Sequence, residues 1–82
     1  MEIVDLTSFI SGEILVETEF IENIMDFDWT RYQDKNVLVR GCADLPLPIW
    51  AFMMVVAQLT PIAKRIRYGN EHSNVVVYRR LS

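Results

Sequence analysis

Apolar positions along the chain fall into short runs of two different periods. Met1 to Asp5 alternates around Ile3 and predicts a short edge strand. Leu6 to Gly12 reads as a turn broken by Ser11-Gly12, and Glu13 to Val16 as a second short extended piece. Phe20, Ile21, Ile24 and Met25 share one face of a short helix with Thr18 as its N-cap, ending near Phe27. Glu19 and Glu22 then sit near the positive end of that helix dipole. Asp28 caps a further single turn, whose Trp29 and Tyr32 point the same way.

Asn36 to Gly41 is the clearest strand, because Val37-Leu38-Val39 suits a central position buried on two sides. Pro46 and Pro48 both fit a helix start, and the helix runs from Pro48 to about Lys64, with Pro61 tightening its last turn. Arg65 to Tyr68 alternates as a strand, Gly69 to Asn74 is a polar turn, and Val75 to Arg79 is the last strand. A strand, a helix and a strand in this order make a right-handed crossover between parallel strands, and the short loop makes the last two antiparallel. The pattern predicts a single α/β domain over residues 1–82. It is a small mixed sheet of about three to five strands, with one long apolar helix crossing between parallel strands and one short N-terminal helix.

The long helix is almost wholly apolar. In projection Ile49, Phe52, Met53, Val56 and Leu59 form one face, and Trp50, Met54 and Ala57 another. One sheet covers one face. A chain of 82 residues with 51% apolar composition has a thin core for that much apolar side chain. The stripe of Trp50, Met54 and Ala57 is therefore a candidate homodimer interface, the same surface meeting itself across a two-fold axis. The alternative is that the first helix and the Trp29–Tyr32 turn cover this stripe within the monomer.

Composition narrows the setting. The longest apolar run, Leu45 to Ala57, spans 13 residues, short of the roughly 20 that cross a bilayer, so no membrane partner is expected. The acidic start Met1-Glu2-Ile3-Val4-Asp5 has no basic leader, and the single cysteine cannot form an internal disulfide; both fit a cytoplasmic location. The net charge of −3 hides an asymmetry: residues 1–34 hold nine acids and one base (−8), and residues 35–82 hold two acids and seven bases (+5). Either the acidic and basic parts attract one another, within the fold or between subunits, or both are solvated faces.

Candidate chemistry is confined to one loop. Gly41, Cys42, Ala43 and Asp44 follow the best strand and precede a helix N-terminus, where open α/β sheets place ligands and where a thiol pKa falls. A thiol-dependent enzyme or an anion-binding protein would use Cys42 and that helix start. Against this, there is no Cys-x-x-Cys pair, and Pro48 stands where a phosphatase loop needs arginine. A buried cysteine acting as a small hydrophobe is the simpler reading. Cys42 and His72 alone do not make a metal site, and no cofactor is implied. Arg65, Arg67, Arg79 and Arg80 with Tyr68 and Tyr78 suggest a basic strand pair, but a pI near 4.9 and the lack of a recognised motif rank nucleic-acid binding third. No small-molecule ligand can be named.

From Asp28 to Arg80 the chain resembles an uncharacterised bacterial family known only as a domain of unknown function. The likeness rests on an Asp-Trp-x-x-Tyr turn (Asp28, Trp29, Tyr32), a Gly-Cys-x-Asp loop (Gly41, Cys42, Asp44) and a proline-led helix from Pro48 through Met53. A Leu-x-Pro step (Leu59, Pro61) and a Tyr-Gly turn (Tyr68, Gly69) complete it. Longer members look like two diverged copies of this unit. The resemblance implies that a single copy pairs with another, and it carries no activity and no catalytic residue.

Overall fold

The computed structural model describes residues 1–41 and 47–81. Strand β1 (Glu2–Asp5) leads through a 3-10 turn (Leu6–Phe9) to helix α1 (Glu17–Asp26). A second 3-10 turn (Trp29–Tyr32) precedes β2 (Asn36–Arg40), and then follow helix α2 (Ile49–Leu59), β3 (Arg65–Gly69) and β4 (Asn74–Arg79). The strands lie in the order β1-β2-β3-β4, with β1, β2 and β3 parallel and β4 antiparallel to β3. The fold is the small mixed α/β sheet that the periodicity predicts, with β2 central.

Two crossovers of the same hand, stepping in the same direction across a sheet, put both helices on one face. The packing agrees. Val4, Val37, Val39 and Ile66 project to the same side and form one core with Phe20 and Ile24 of α1 and Ala51, Val55 and Leu59 of α2. The molecule therefore has two layers. Its other sheet face carries Ile3, Leu38, Arg65, Arg67 and Arg79, and neither helix covers it.

Aromatic side chains fill the end of the core beneath α1. Phe9 stacks on Trp29 at 5.7 Å and meets Phe27 edge-on at 5.2 Å, and Phe27 lies 4.7 Å from Trp29. The buried Trp29 indole N–H donates to the Ile24 carbonyl at 2.8 Å, which satisfies the polar edge of the ring and seals the last turn of α1. Asp28 caps the Trp29 turn by accepting from the Thr30 N–H at 3.1 Å, as the sequence indicates. Asp5 does the same for the Leu6 turn through Thr7.

Several local expectations change. The expected turn after Leu6 is present, as a 3-10 turn at Leu6–Phe9, but Glu13–Val16 is not a strand. Thr18 lies inside α1, with Val16 at the N-cap position and no side chain capping there. Helix α2 stops at Leu59 rather than Lys64; Pro61 has no N–H to continue the ladder, and the Ala63 N–H returns to the Leu59 carbonyl at 2.8 Å to close the turn.

The orientation of α2 also differs from the projection. The stripe facing the sheet is Ala51, Val55 and Leu59, each fully buried. Small Ala51 lets the helix axis approach the strands closely, whereas Trp50 is too large for that line of contact. Trp50 instead lies on the flank towards α1, edge-on to Phe20 at 5.7 Å. Phe52 takes the other flank, edge-on to Tyr68 of β3 at 4.9 Å.

Candidate functional site

Cys42, Ala43 and Asp44 lie outside the described residues. Gly41 lies within them, at the end of β2. A Cβ on Gly41 would come 2.8 Å from Phe52 Cζ and 3.4 Å from Leu47 Cδ1. The residue thus lets the Phe52 ring sit directly on the backbone where β2 ends.

That ring is one wall of an open groove. Leu47, Ile49, Phe52, Met53, Val56 and Ala57 line it from the α2 side, and Tyr68 and Val77 from the sheet, enclosing about 580 Å³. Every lining side chain is apolar or aromatic. The groove exists because α2 carries apolar residues all round while the sheet needs only one stripe of them. Ile49 and Met53, four residues apart, are left 78% and 64% exposed, and Ala57 continues the same outer line.

The expected interface residues are thereby separated. Trp50 and Met54 are half-buried against the core, on the flank that α1 covers, and Ala57 alone of the three lines the groove. Ile49 and Met53, assigned to the sheet by projection, face outward. The buried line Ala51-Val55-Leu59 was readable as the one i, i+4, i+8 series that begins with a small residue.

Polar side chains form a second system at the strand ends. Arg40 of β2 pairs with Asp5 of β1 at 3.0 Å and with Glu71 of the β3–β4 turn, so one guanidinium joins three parts of the sheet. Burial pushes the Asp5 carboxyl up, but hydrogen bonds from the Thr7 hydroxyl and N–H and from Arg40 outweigh it, and its pKa lies below the usual aspartate value. Asp34 is likewise lowered, first by its hydrogen bond from Arg80 and then by Gln33. These groups are ionised and paired at neutral pH, an arrangement for structure rather than for proton transfer.

The basic residues do not form the cluster that their spacing suggests. Arg80 turns away to Asp34 at 2.6 Å. Arg65, Arg67 and Arg79 share the open sheet face, while Tyr68 packs on Phe52 and Tyr78 packs against the core, bordering the arginines without standing free between them. His72 is exposed in the β3–β4 turn, where its backbone N–H donates to Asn70 Oδ1 at 2.8 Å. Among the described residues no group of three or more histidine, cysteine, aspartate and glutamate side chains is placed to hold a metal ion, and no helix is long and apolar enough to cross a membrane.

Fold and surface together define a small two-layer α/β protein with an apolar groove on its helix face and a basic, open sheet face. The chain belongs to the family described as Protein of unknown function (DUF2480), which it matches over residues 1–80. The match reaches well beyond the Asp28–Arg80 stretch that carries the motifs. No curated protein and no solved structure matches the chain.

Proposed function

We propose that the protein is a binding or structural module that works as a homodimer, with the groove along the outer line of α2 as the self-association surface. The observation that carries this reading is the size and purity of the exposed apolar surface. Ile49, Met53, Tyr68, Val75 and Val77 are between 43% and 78% exposed. Val75 adjoins the groove as the register partner of Tyr68. At roughly 100 Å² for each such side chain, the patch is on the order of 500 Å² in one copy and 1,000 Å² in two, which is where specific interfaces begin.

A two-fold axis lets this surface bury itself without any other partner, since each groove can receive the other copy's Ile49–Met53 ridge. The buried centre would be apolar, as stable homodimer interfaces are. Sedimentation velocity at micromolar concentration tests the reading. The wild-type chain is expected to sediment as a dimer. Met53→Glu, which places a charge on the exposed line without touching the core, is expected to give a folded monomer by circular dichroism and sedimentation. A wild-type chain that stays monomeric through the micromolar range overturns the proposal, as does a Met53→Glu variant that dimerises unchanged.

A further inference from the structure

The open face of the sheet holds a second feature, which meets the groove at Val77. Three of the chain's six arginines have a charged or aromatic partner. Arg40 pairs with Asp5 and Glu71, Arg80 pairs with Asp34, and Arg31 lies over the Phe27 ring at 5.6 Å. The three that remain, Arg65, Arg67 and Arg79, have no carboxylate within ion-pairing distance among the described residues. They are also neighbours. Arg65 and Arg79 are directly opposed across the β3–β4 ladder, and Arg67 follows Arg65 by one strand repeat on the same face. Together with Val76, Val77 and Tyr78 they line an open depression of about 510 Å³.

This arrangement is unfavourable as it stands. Like charges directly opposed on a ladder repel. The Arg65 Nε is enclosed and has no hydrogen-bond partner among the described residues, so that guanidinium has lost water on one side without compensation. Arg67 is held in place by a 3.0 Å hydrogen bond from its Nη1 to Asn74 Oδ1, which fixes the fork without neutralising it. A negatively charged group in the depression relieves all three at once.

We propose that Arg65, Arg67 and Arg79 form a binding site for a small, multiply charged phosphoryl anion on the open face of the sheet. Three guanidinium forks from two strands offer more donors and more charge than a single carboxylate can match, and they suit the several oxygens of a phosphoryl or pyrophosphoryl group. The phosphate could come from a free small molecule or from a nucleic-acid backbone. Tyr68 packs edge-on against Phe52 and Tyr78 packs against the core, so neither ring, although Tyr78 borders the depression, is free to stack a single-stranded base there. The site is accordingly assigned to the free small ligand.

Calorimetric titration of the full chain with inorganic pyrophosphate, at low and constant ionic strength, tests the assignment. Saturable binding is expected, weakened by about tenfold or more in Arg79→Gln and in Arg65→Gln. Arg31→Gln, which carries the same charge change away from the depression, is expected to bind like the wild type. Thermal melts add a readout that a purely structural role would not produce. Relief of the opposed pair should raise the melting temperature of ligand-free Arg79→Gln, while most of the pyrophosphate-induced rise disappears. No saturable heat overturns the proposal, and so does an equal loss in Arg31→Gln or unchanged binding in both site variants. Tighter binding of a single-stranded oligonucleotide than of pyrophosphate overturns the assignment to a small ligand.

Discussion

Gly69 sits at φ +140° where β3 enters its turn, and a Cβ there would lie 2.3 Å from the Ser73 carbonyl oxygen. Both the dihedral and the backbone contact exclude a side chain, so Gly69→Ala is expected to cost about 2 kcal/mol or more, read as a lowered midpoint in urea denaturation. Gly41 differs in kind. Its contact is with the far end of the Phe52 side chain, which can swing away. Asp5 sets a pH dependence. Its folded pKa is depressed by Thr7 and Arg40, so its contribution is present above the ordinary aspartate value and is lost as pH falls through the folded one. The melting temperature should therefore fall on acidification below about pH 4, and less steeply in Asp5→Asn, which has no charge to lose. Thermal melts from pH 6 to about pH 2.5 on both proteins check this.

At the scale of the element, α2 shows what a one-dimensional pattern conveys and what it does not. Its apolar character, its proline-led start and its place between parallel strands are all legible from Pro48 to Leu59, because each depends on local residue types. Which stripe faces the sheet is not legible from hydrophobicity, since nearly every stripe is apolar. Size decides it: Ala51 permits close approach, and Phe20 from α1 supplies a flank for Trp50. Ala51→Leu should push the helix off the strands and cost about 1–3 kcal/mol by chemical denaturation, since the site has no room for three further carbons. The short first turns were harder to read. The Thr18 cap fails because α1 begins earlier, at Glu17, and the Leu6–Phe9 turn is shaped by Asp5 hydrogen bonds that no periodicity announces.

Across the whole molecule, the charge asymmetry of the chain resolves in part into internal pairing. Asp5–Arg40 and Asp34–Arg80 each join an acid from the first 34 residues to a base from the remainder. The remaining basic residues of β3 and β4 were visible as a cluster in the sequence. Their division into a paired Arg80 and an unpaired trio was not, because it depends on where Asp34 lies relative to the end of β4. The groove was legible only as an excess of apolar residues. Its location required knowing that α1 covers one flank of α2 and leaves the outer line bare. The two surfaces share Val77 of the edge strand β4, but Met53 lines only the groove and Arg79 only the depression, so the self-association and phosphoryl-binding proposals can be tested separately, with Met53→Glu for the first and Arg79→Gln for the second.

The strand order β1-β2-β3-β4 repeats the order of the chain. Every ladder thus joins a strand to the one made just before it, and no strand has to be threaded between two that are already paired. A chain emerging from the ribosome could add each strand to a finished edge in turn, so the direction of synthesis and the direction of sheet growth coincide.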